Sequence, residues 1–554
     1  MMKKYNILLA LFILSSCVSC NSNNNNQSED KNEKMINQEI ADTPFIQEAS
    51  EDGKVRIVDK NDNPILVLSA LLRTDLLINA DFLSPNQMED YFAICKETGL
   101  NCIDIPIMWS QIEKQADNYV FDDLKTYLDY AKKYNLKVNI EWYGSFVDGE
   151  THSANIPEYV CKDKKNYPMI QDMFDFANYG RCYIIDWSNP KLLERESKAL
   201  YSMMNYIYDW NHENSLYDPV LMVQIGQGTD RFQRWRIEAY KVKDSDNNPY
   251  GTNEAWSMVN NYLNEVAKGV KYSKYKALTR VEFCEQNAVV NYVRNIKALD
   301  YIDIVSPTYL HEIPSTKSGI KSFCDEFDDV AIINAENWAS DINDRQILAT
   351  FALGGVGYVS YQLSCPNYFP ESPNGALYQR LNEQGTTLQE KFVEKNNRAS
   401  STKIISEALL KANSAVSNAK RSNFATFGLN NLLSDKTGDE RIQKTYLNNG
   451  ILLDYSNPVS SLGYAIYDNN YLYAFSNKVA TLKITNCTIP AATKGYMEDN
   501  SWNSEGSVTL TNNNLLEMEA NVVYRIRISS VEDLPDANSL NQQGYKSTLD
   551  NIRG

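Results

Sequence analysis

The chain has 554 residues, with 71 acidic side chains against 54 basic ones and a net charge of −17. So acidic a chain is a poor nucleic-acid ligand, because phosphate contacts need clustered Lys and Arg. Only three histidines are present, and the cysteines beyond residue 20 are scattered without a CxxC pair, which leaves no zinc-ligand spacing and no footing for a His-dependent triad.

Lys3 and Lys4 precede an apolar run from Ile7 to Ile13, too short to span a bilayer and of the form of a cleaved signal. Leu14-Ser15-Ser16-Cys17 then reads as a lipobox, with Cys17 the lipidated residue. Acyl chains at ~0.8 kcal/mol per buried CH2 would hold the mature protein to a membrane. Cys20 is a second candidate without the leading aliphatic residue, and an ordinary signal peptide with unmodified cysteines is the plain alternative. Residues 21–51 open on NSNNNNQSEDKNEK and read as a polar tether. No later apolar run is long enough to span a bilayer.

Eight short apolar runs follow as candidate strands, at 65–68, 102–106, 137–141, 220–225, 277–283, 302–305, 330–333 and 356–360. Helical patterns sit between them. Ser84-Pro85-Asn86-Gln87 is a capping box ahead of Phe92, Ile94 and Cys95, with Gly99 as the stop. Leu124, Tyr127, Leu128 and Ala131 repeat at helical spacing, and Leu193, Leu200, Met203, Met204 and Ile207 mark a third helix. Later patterns run over 255–270, 288–299 and 342–353. This alternation predicts an α/β fold, a (β/α)8 TIM barrel over 52–395, with a long insertion at 143–187 on the rim.

Residues 377–420 read as helix with turns, and 396–440 as a helical connector. From residue 450 the period becomes two, which predicts a small antiparallel β-sandwich over 441–530 and a polar tail over 531–554. Cys161 and Cys182 are candidates for a loop disulfide; most of the other cysteines read as buried thiols.

A barrel of this kind carries its working residues at the C-terminal ends of its strands. Those ends supply Arg73, Trp109, Glu141, Trp142, Gln224, Gln227, Asp230, Glu282, Tyr309, Glu336 and Trp338. Carboxylates and aromatic rings at one mouth are what a sugar site requires: acids act on the glycosidic oxygen and anomeric carbon, and rings support sugar faces.

Pro106-Ile-Met-Trp109-Ser-Gln-Ile-Glu113, Ile140-Glu-Trp-Tyr-Gly-Ser145 and Asn334-Ala-Glu336-Asn, in this order, resemble clan A glycoside hydrolases. The nearest likeness is to the β-galactosidases of families 35 and 42, over about residues 60 to 375, and the sandwich has a counterpart there too. The resemblance implies a retaining hydrolase with Glu336 as nucleophile. The expected sugar contacts are Arg73, Trp109, Glu141, Trp142, Gln224, Gln227, Tyr309 and Trp338. In that family strand 4 ends in a Gln-x-Glu-Asn-Glu-like run that carries the general acid/base; here Gly228 stands where the acid belongs.

Loss of a general acid costs ~10²–10⁴-fold. Asp230 is the first candidate replacement, with Glu282 and Glu141 behind it. Two readings stay open: a surface lipoprotein that hydrolyses a plant or host glycan with a displaced acid, and a degenerate barrel that binds glycan without cleaving it. A purely structural scaffold is a third class, and would plug the mouth with side chains. The expected partners are carbohydrate and, through the lipid anchor, the outer face of a bacterial outer membrane; no cofactor or metal is expected.

Overall fold

The structure, a computed structural model, describes residues 42–49, 55–79, 83–147, 155–175, 180–186, 188–227, 252–283, 300–308, 310, 313–327, 329–338, 341–365, 375–380, 385–428, 444–456, 461–511, 513–532 and 546–547. The signal segment with Cys17, most of the expected tether, and the helix expected at 288–299 lie outside the described residues.

Eight parallel strands form one sheet: β1 (Val67–Ala70), β2 (Cys102–Met108), β3 (Lys137–Val147), β4 (Val220–Gln227), β5 (Leu278–Phe283), β6 (Ile304–Pro307), β7 (Ala331–Trp338) and β8 (Gly357–Tyr361). Their order is β1-β8-β7-β6-β5-β4-β3-β2. A parallel bridge between Leu71 and Asp104 joins the two ends, so the sheet closes into a barrel. Every strand expected from the sequence is present, with its bounds moved by a few residues.

Helices cover the outside of the barrel: α1 (Glu89–Glu97), α2 (Asp122–Tyr134), α3 (Pro190–Glu213), α4 (Thr252–Lys271), α5 (Ile313–Glu326) and α6 (Asn343–Ala352). On α2 the expected stripe of Leu124, Tyr127, Leu128 and Ala131 is buried. Asn189 caps α3 by accepting from the Lys191 and Leu192 N–H groups, with Pro190 at the first position. Before α1, the Gln87 side chain accepts from the Ser84 N–H at 2.9 Å, inside a separate 3-10 turn at Pro85–Gln87. Helix α5 was not expected. Pro314, Gly319 and a run of Ser and Thr hide its pattern, yet Ile320, Phe323, Cys324 and Phe327 repeat at helical spacing and are buried.

The chain enters at the N-terminal end of the barrel. Asp42 bridges to Tyr275, and strands Phe45–Ala49 and Val55–Asp59 form a hairpin. Phe45, Val55 and Ile57 pack with Val67, Leu221 and Leu278, which closes that end with apolar side chains. Residues 45–49 thus belong to the barrel and not to the tether; Phe45 is 3% exposed. In the insertion after β3 the described residues hold helix Glu158–Lys162 and the hairpin Met169–Asp175 with Gly180–Ile185. Cys161 is a free thiol there, so the loop disulfide is not formed.

Beyond the barrel, short strands Tyr378–Arg380 and Phe392–Glu394 interrupt the stretch expected to be helical, before helix α7 (Arg398–Lys411). The C-terminal region has a six-stranded and a five-stranded sheet around their own apolar core, and all pairings but one are antiparallel. Phe424–Phe427, placed in the connector by sequence, is an edge strand of the larger sheet. Lys546–Ser547 of the expected tail pairs in parallel with Thr445 and Tyr446. Tyr464 donates to the Ala408 carbonyl at 2.7 Å, fastening the sandwich to α7.

Candidate active site in the barrel mouth

Side chains alternate across each strand, so only every second residue faces the barrel interior. Above the apolar floor lies a polar layer of Ser69, Asp104, Asn139, Gln224, Arg280 and Ser306, each at most 1% exposed. Arg280 is its centre. It donates to Asp104 at 2.8 Å, to Glu141 at 3.3 Å, and to the Gln224 amide oxygen through both Nε and Nη2. Asp104 also accepts from Ser69 and Asn139, each at 2.6 Å. A buried guanidinium with two buried carboxylates is tolerable only when paired and hydrogen-bonded in this way.

One layer higher, Glu141, Glu282 and Glu336 meet; the first two are fully buried and the third is 1% exposed. Gln224 donates to Glu282 Oε2 at 2.8 Å, and Tyr143 donates to Glu141 at 3.4 Å. Burial, then the Glu336 and Glu141 charges, push Glu282 well above its ordinary 4.5, against the pull of Arg280. Burial and Glu336 raise Glu141 likewise, again opposed by Arg280. Burial in this cluster thus favours the protonated form of Glu282.

Glu336 reaches this place through a break in the pleat. Ala331, Ile333 and Ala335 pack in the interior cluster, and Asn334 bonds Thr350 of α6 on the outside. Strict alternation would send Glu336 outward. A register shift between Asn334 and Asn337 intervenes, and Glu336 adopts φ +49°, the left-handed region that a residue with a Cβ rarely occupies. The strained backbone turns this one carboxylate inward, and strain of this kind concentrates at working sites.

Arg73 is clamped by Asp75 through two 2.8 Å hydrogen bonds and donates to the Tyr361 hydroxyl at 3.2 Å, so it stands at the mouth beside β8. Two of the expected sugar contacts lie elsewhere. Trp142 follows Glu141 directly and so faces outward, where its Nε1 donates to Glu196 of α3 at 3.0 Å. Trp109 is fully buried in the outer core and donates to Glu113 at 2.9 Å, itself paired with Arg195. Both are packing residues. Gln224 is 1% exposed and committed within the barrel. Asp230, Gly228 and Tyr309 lie outside the described residues, as do the side chains of Gln227 and Trp338, whose backbones pair with Val147 and Tyr361. Among the described residues no group of three His, Cys, Asp or Glu is placed to hold a metal ion.

Sequence reading missed Arg280, Asp104 and Asn139. The signal was there: each is a polar residue inside an apolar strand, and Asn139 and Arg280 stand two positions before Glu141 and Glu282.

A family model described as a domain of unknown function (DUF4978) matches residues 258–433. No curated protein matches the chain. Among solved structures it is similar to an exo-β-1,4-mannosidase from Opitutaceae bacterium strain TAV5, at 12% identity and TM-score 0.45 over 67% of this chain and 63% of that one. It is similar to a glycoside hydrolase family 30 subfamily 8 xylanase from Clostridium acetobutylicum, at 10% identity and TM-score 0.41 over 84% and 97%. It is also similar to a β-galactosidase from the psychrophilic Marinomonas ef1, at 9% and 0.44 over 64% and 62%. The chain thus spans less than two thirds of the mannosidase and of the β-galactosidase.

Proposed function

We propose that this chain is an exported protein, lipid-anchored through Cys17, that cleaves a plant or host glycan with retention in the barrel mouth. Glu336 is the nucleophile and Glu282 the displaced general acid. The observation that carries this reading is the meeting of buried Glu141 and Glu282 with a strained, inward-turned Glu336 in the barrel mouth, where burial and the neighbouring charges favour a protonated Glu282. In the first step Glu336 attacks the anomeric carbon while Glu282 gives its proton to the departing glycosidic oxygen. In the second, water displaces Glu336 and returns a proton to Glu282.

Intact-mass labelling with activated 2-deoxy-2-fluoro glycosides tests the nucleophile alone, because their leaving groups need no acid. An adduct at Glu336, lost in Glu336→Ala, supports the reading. No adduct across a panel of sugars, together with measurable glycan binding, would overturn it in favour of binding without cleavage, which Gly228 favours. For the anchor, detergent-phase partitioning that is lost in Cys17→Ser is the expected result.

A further inference from the structure

In a regular strand, residues three apart point to opposite faces of the sheet. Asn334 and Asn337 of β7 nevertheless meet, the Asn337 amide donating to Asn334 Oδ1 at 2.6 Å. The contact exists because β7 carries one extra residue between them. Asn334 pairs with Tyr358 and Asn337 with Ser360, three steps along one strand against two along the other. Ala335 and Glu336 are the residues enclosed, and Glu336 takes the positive φ of the bulge, +49°.

The direction of these hydrogen bonds is fixed from the backbone. The Leu310 N–H donates to Asn337 Oδ1 at 2.9 Å, which leaves Asn337 Nδ2 to donate to Asn334 Oδ1. Asn334 Nδ2 then donates to the Thr350 hydroxyl of α6 at 3.0 Å, and that hydroxyl donates to the Gln346 carbonyl at 2.8 Å. The Gln346 side chain closes the circuit by donating to the Leu310 carbonyl at 2.6 Å. Asn334, Asn337, Gln346 and Thr350 are all fully buried, so each broken link leaves a buried polar group short of a partner. We propose that Asn334 and Asn337 are positioning residues: their amide-to-amide bond, anchored on Leu310 and on α6, holds the extra residue in β7 and so keeps the Glu336 carboxylate turned into the mouth. The part of Glu336 as nucleophile rests on the hydrolase reading; the locking of the bulge does not.

Urea unfolding of full-length variants reads the lock through residue 336 itself. Glycine accepts a positive φ without penalty and alanine does not, whereas in an extended strand glycine is the poorer residue. Glu336→Gly is therefore expected to have a higher urea midpoint than Glu336→Ala. With Asn337→Ala added to both, the bulge is released, and the glycine advantage is expected to vanish or reverse. Where Asn337→Ala does not fold, Thr350→Val takes its place, exchanging the hydroxyl that anchors Asn334 for a methyl group. Thr350→Ser keeps that hydroxyl and is expected to keep the glycine advantage. A glycine advantage of the same size in both backgrounds, or none in the otherwise unaltered chain, would overturn the proposal.

A second readout addresses the carboxylate. For any sugar that labels Glu336, the same Asn337 or Thr350→Val variant is expected to slow labelling by the activated fluoro glycoside about 10²-fold, the loss that a displacement of about 1 Å produces. Thr350→Ser is expected to label at close to the wild-type rate. Unchanged labelling in a folded variant that has lost the glycine advantage would refute the positioning role. Absence of labelling in the wild type, with the glycine advantage and its loss both observed, would retire the hydrolase reading and leave the lock standing.

Discussion

Gly144 and Glu196 compete for one space: a Cβ on Gly144 would fall 1.8 Å from Oε1 of Glu196. Glu196 cannot swing aside. It accepts from Trp142 at 3.0 Å, from Tyr262 at 2.6 Å, and from both the N–H and the hydroxyl of Ser145. This carboxylate on α3 therefore ties down the end of β3, the strand that carries Glu141 and Tyr143 into the mouth. Gly144→Ala is expected to cost about 2–3 kcal/mol through overpacking, read as a lower urea midpoint. Adding Glu196→Ala should show a coupling between the two sites, since the clash with the carboxylate is then gone and only that with Trp142 Nε1, at 2.6 Å, remains. Unchanged stability of Gly144→Ala would mean that Glu196 is not held where it is described.

Arg280 pairs with Asp104 and Glu141 deep in the barrel, where all three side chains are fully buried. Removing one partner of such a cluster leaves buried charge uncompensated. Arg280→Met is expected to destabilise the protein by about 3–5 kcal/mol in denaturant unfolding. Adding Asp104→Asn should recover part of the loss. A purely hydrophobic role for this side chain would instead leave Arg280→Met nearly neutral and make the double variant no better.

The barrel was legible because its signal is local: short apolar runs spaced by amphipathic helices, each run long enough to fix a strand. The site was only half legible. Glu141 and Glu282 sit at the right parity on strands whose ends could be read, so the sequence places them correctly. Trp142 was misplaced by proximity, since the residue after an inward Glu141 must face out. Glu336 obeys no parity rule, because a register shift delivers it; its place at the end of the seventh strand and its likeness to a known motif pointed there. The pairing of Arg280 with Asp104, 176 positions apart, depends on barrel closure, which no local pattern encodes.

Phe45 tests the N-terminal boundary. Its ring lies in the apolar plug under the barrel with the Lys137 ammonium 5.6 Å from its centre. A residue in a loose tether would contribute nothing to stability. Phe45→Ala is expected to cost about 3 kcal/mol, as for a buried aromatic residue, and to lower the thermal midpoint. An unchanged midpoint would return residues 42–49 to the tether.

Glu282 also predicts how stability varies with pH. Its folded-state pKa is raised above the ordinary 4.5 by burial and by Glu336 and Glu141, and Glu141 is raised in the same sense. Below about 4.5 both groups are protonated whether the chain is folded or not, and the stability they contribute is fully present. As pH rises past that value the unfolded chain releases protons that the folded protein keeps, and stability is lost until the folded pKa is passed. Glu282→Gln preserves the neutral form, and its amide oxygen accepts from Gln224 as Oε2 does. The variant should match the wild type in thermal melts near about pH 4 and exceed it increasingly at higher pH, with a shallower decline. If the two declined in parallel, Glu282 would be ionised in the folded protein, and the acid role assigned to it would have no proton to give.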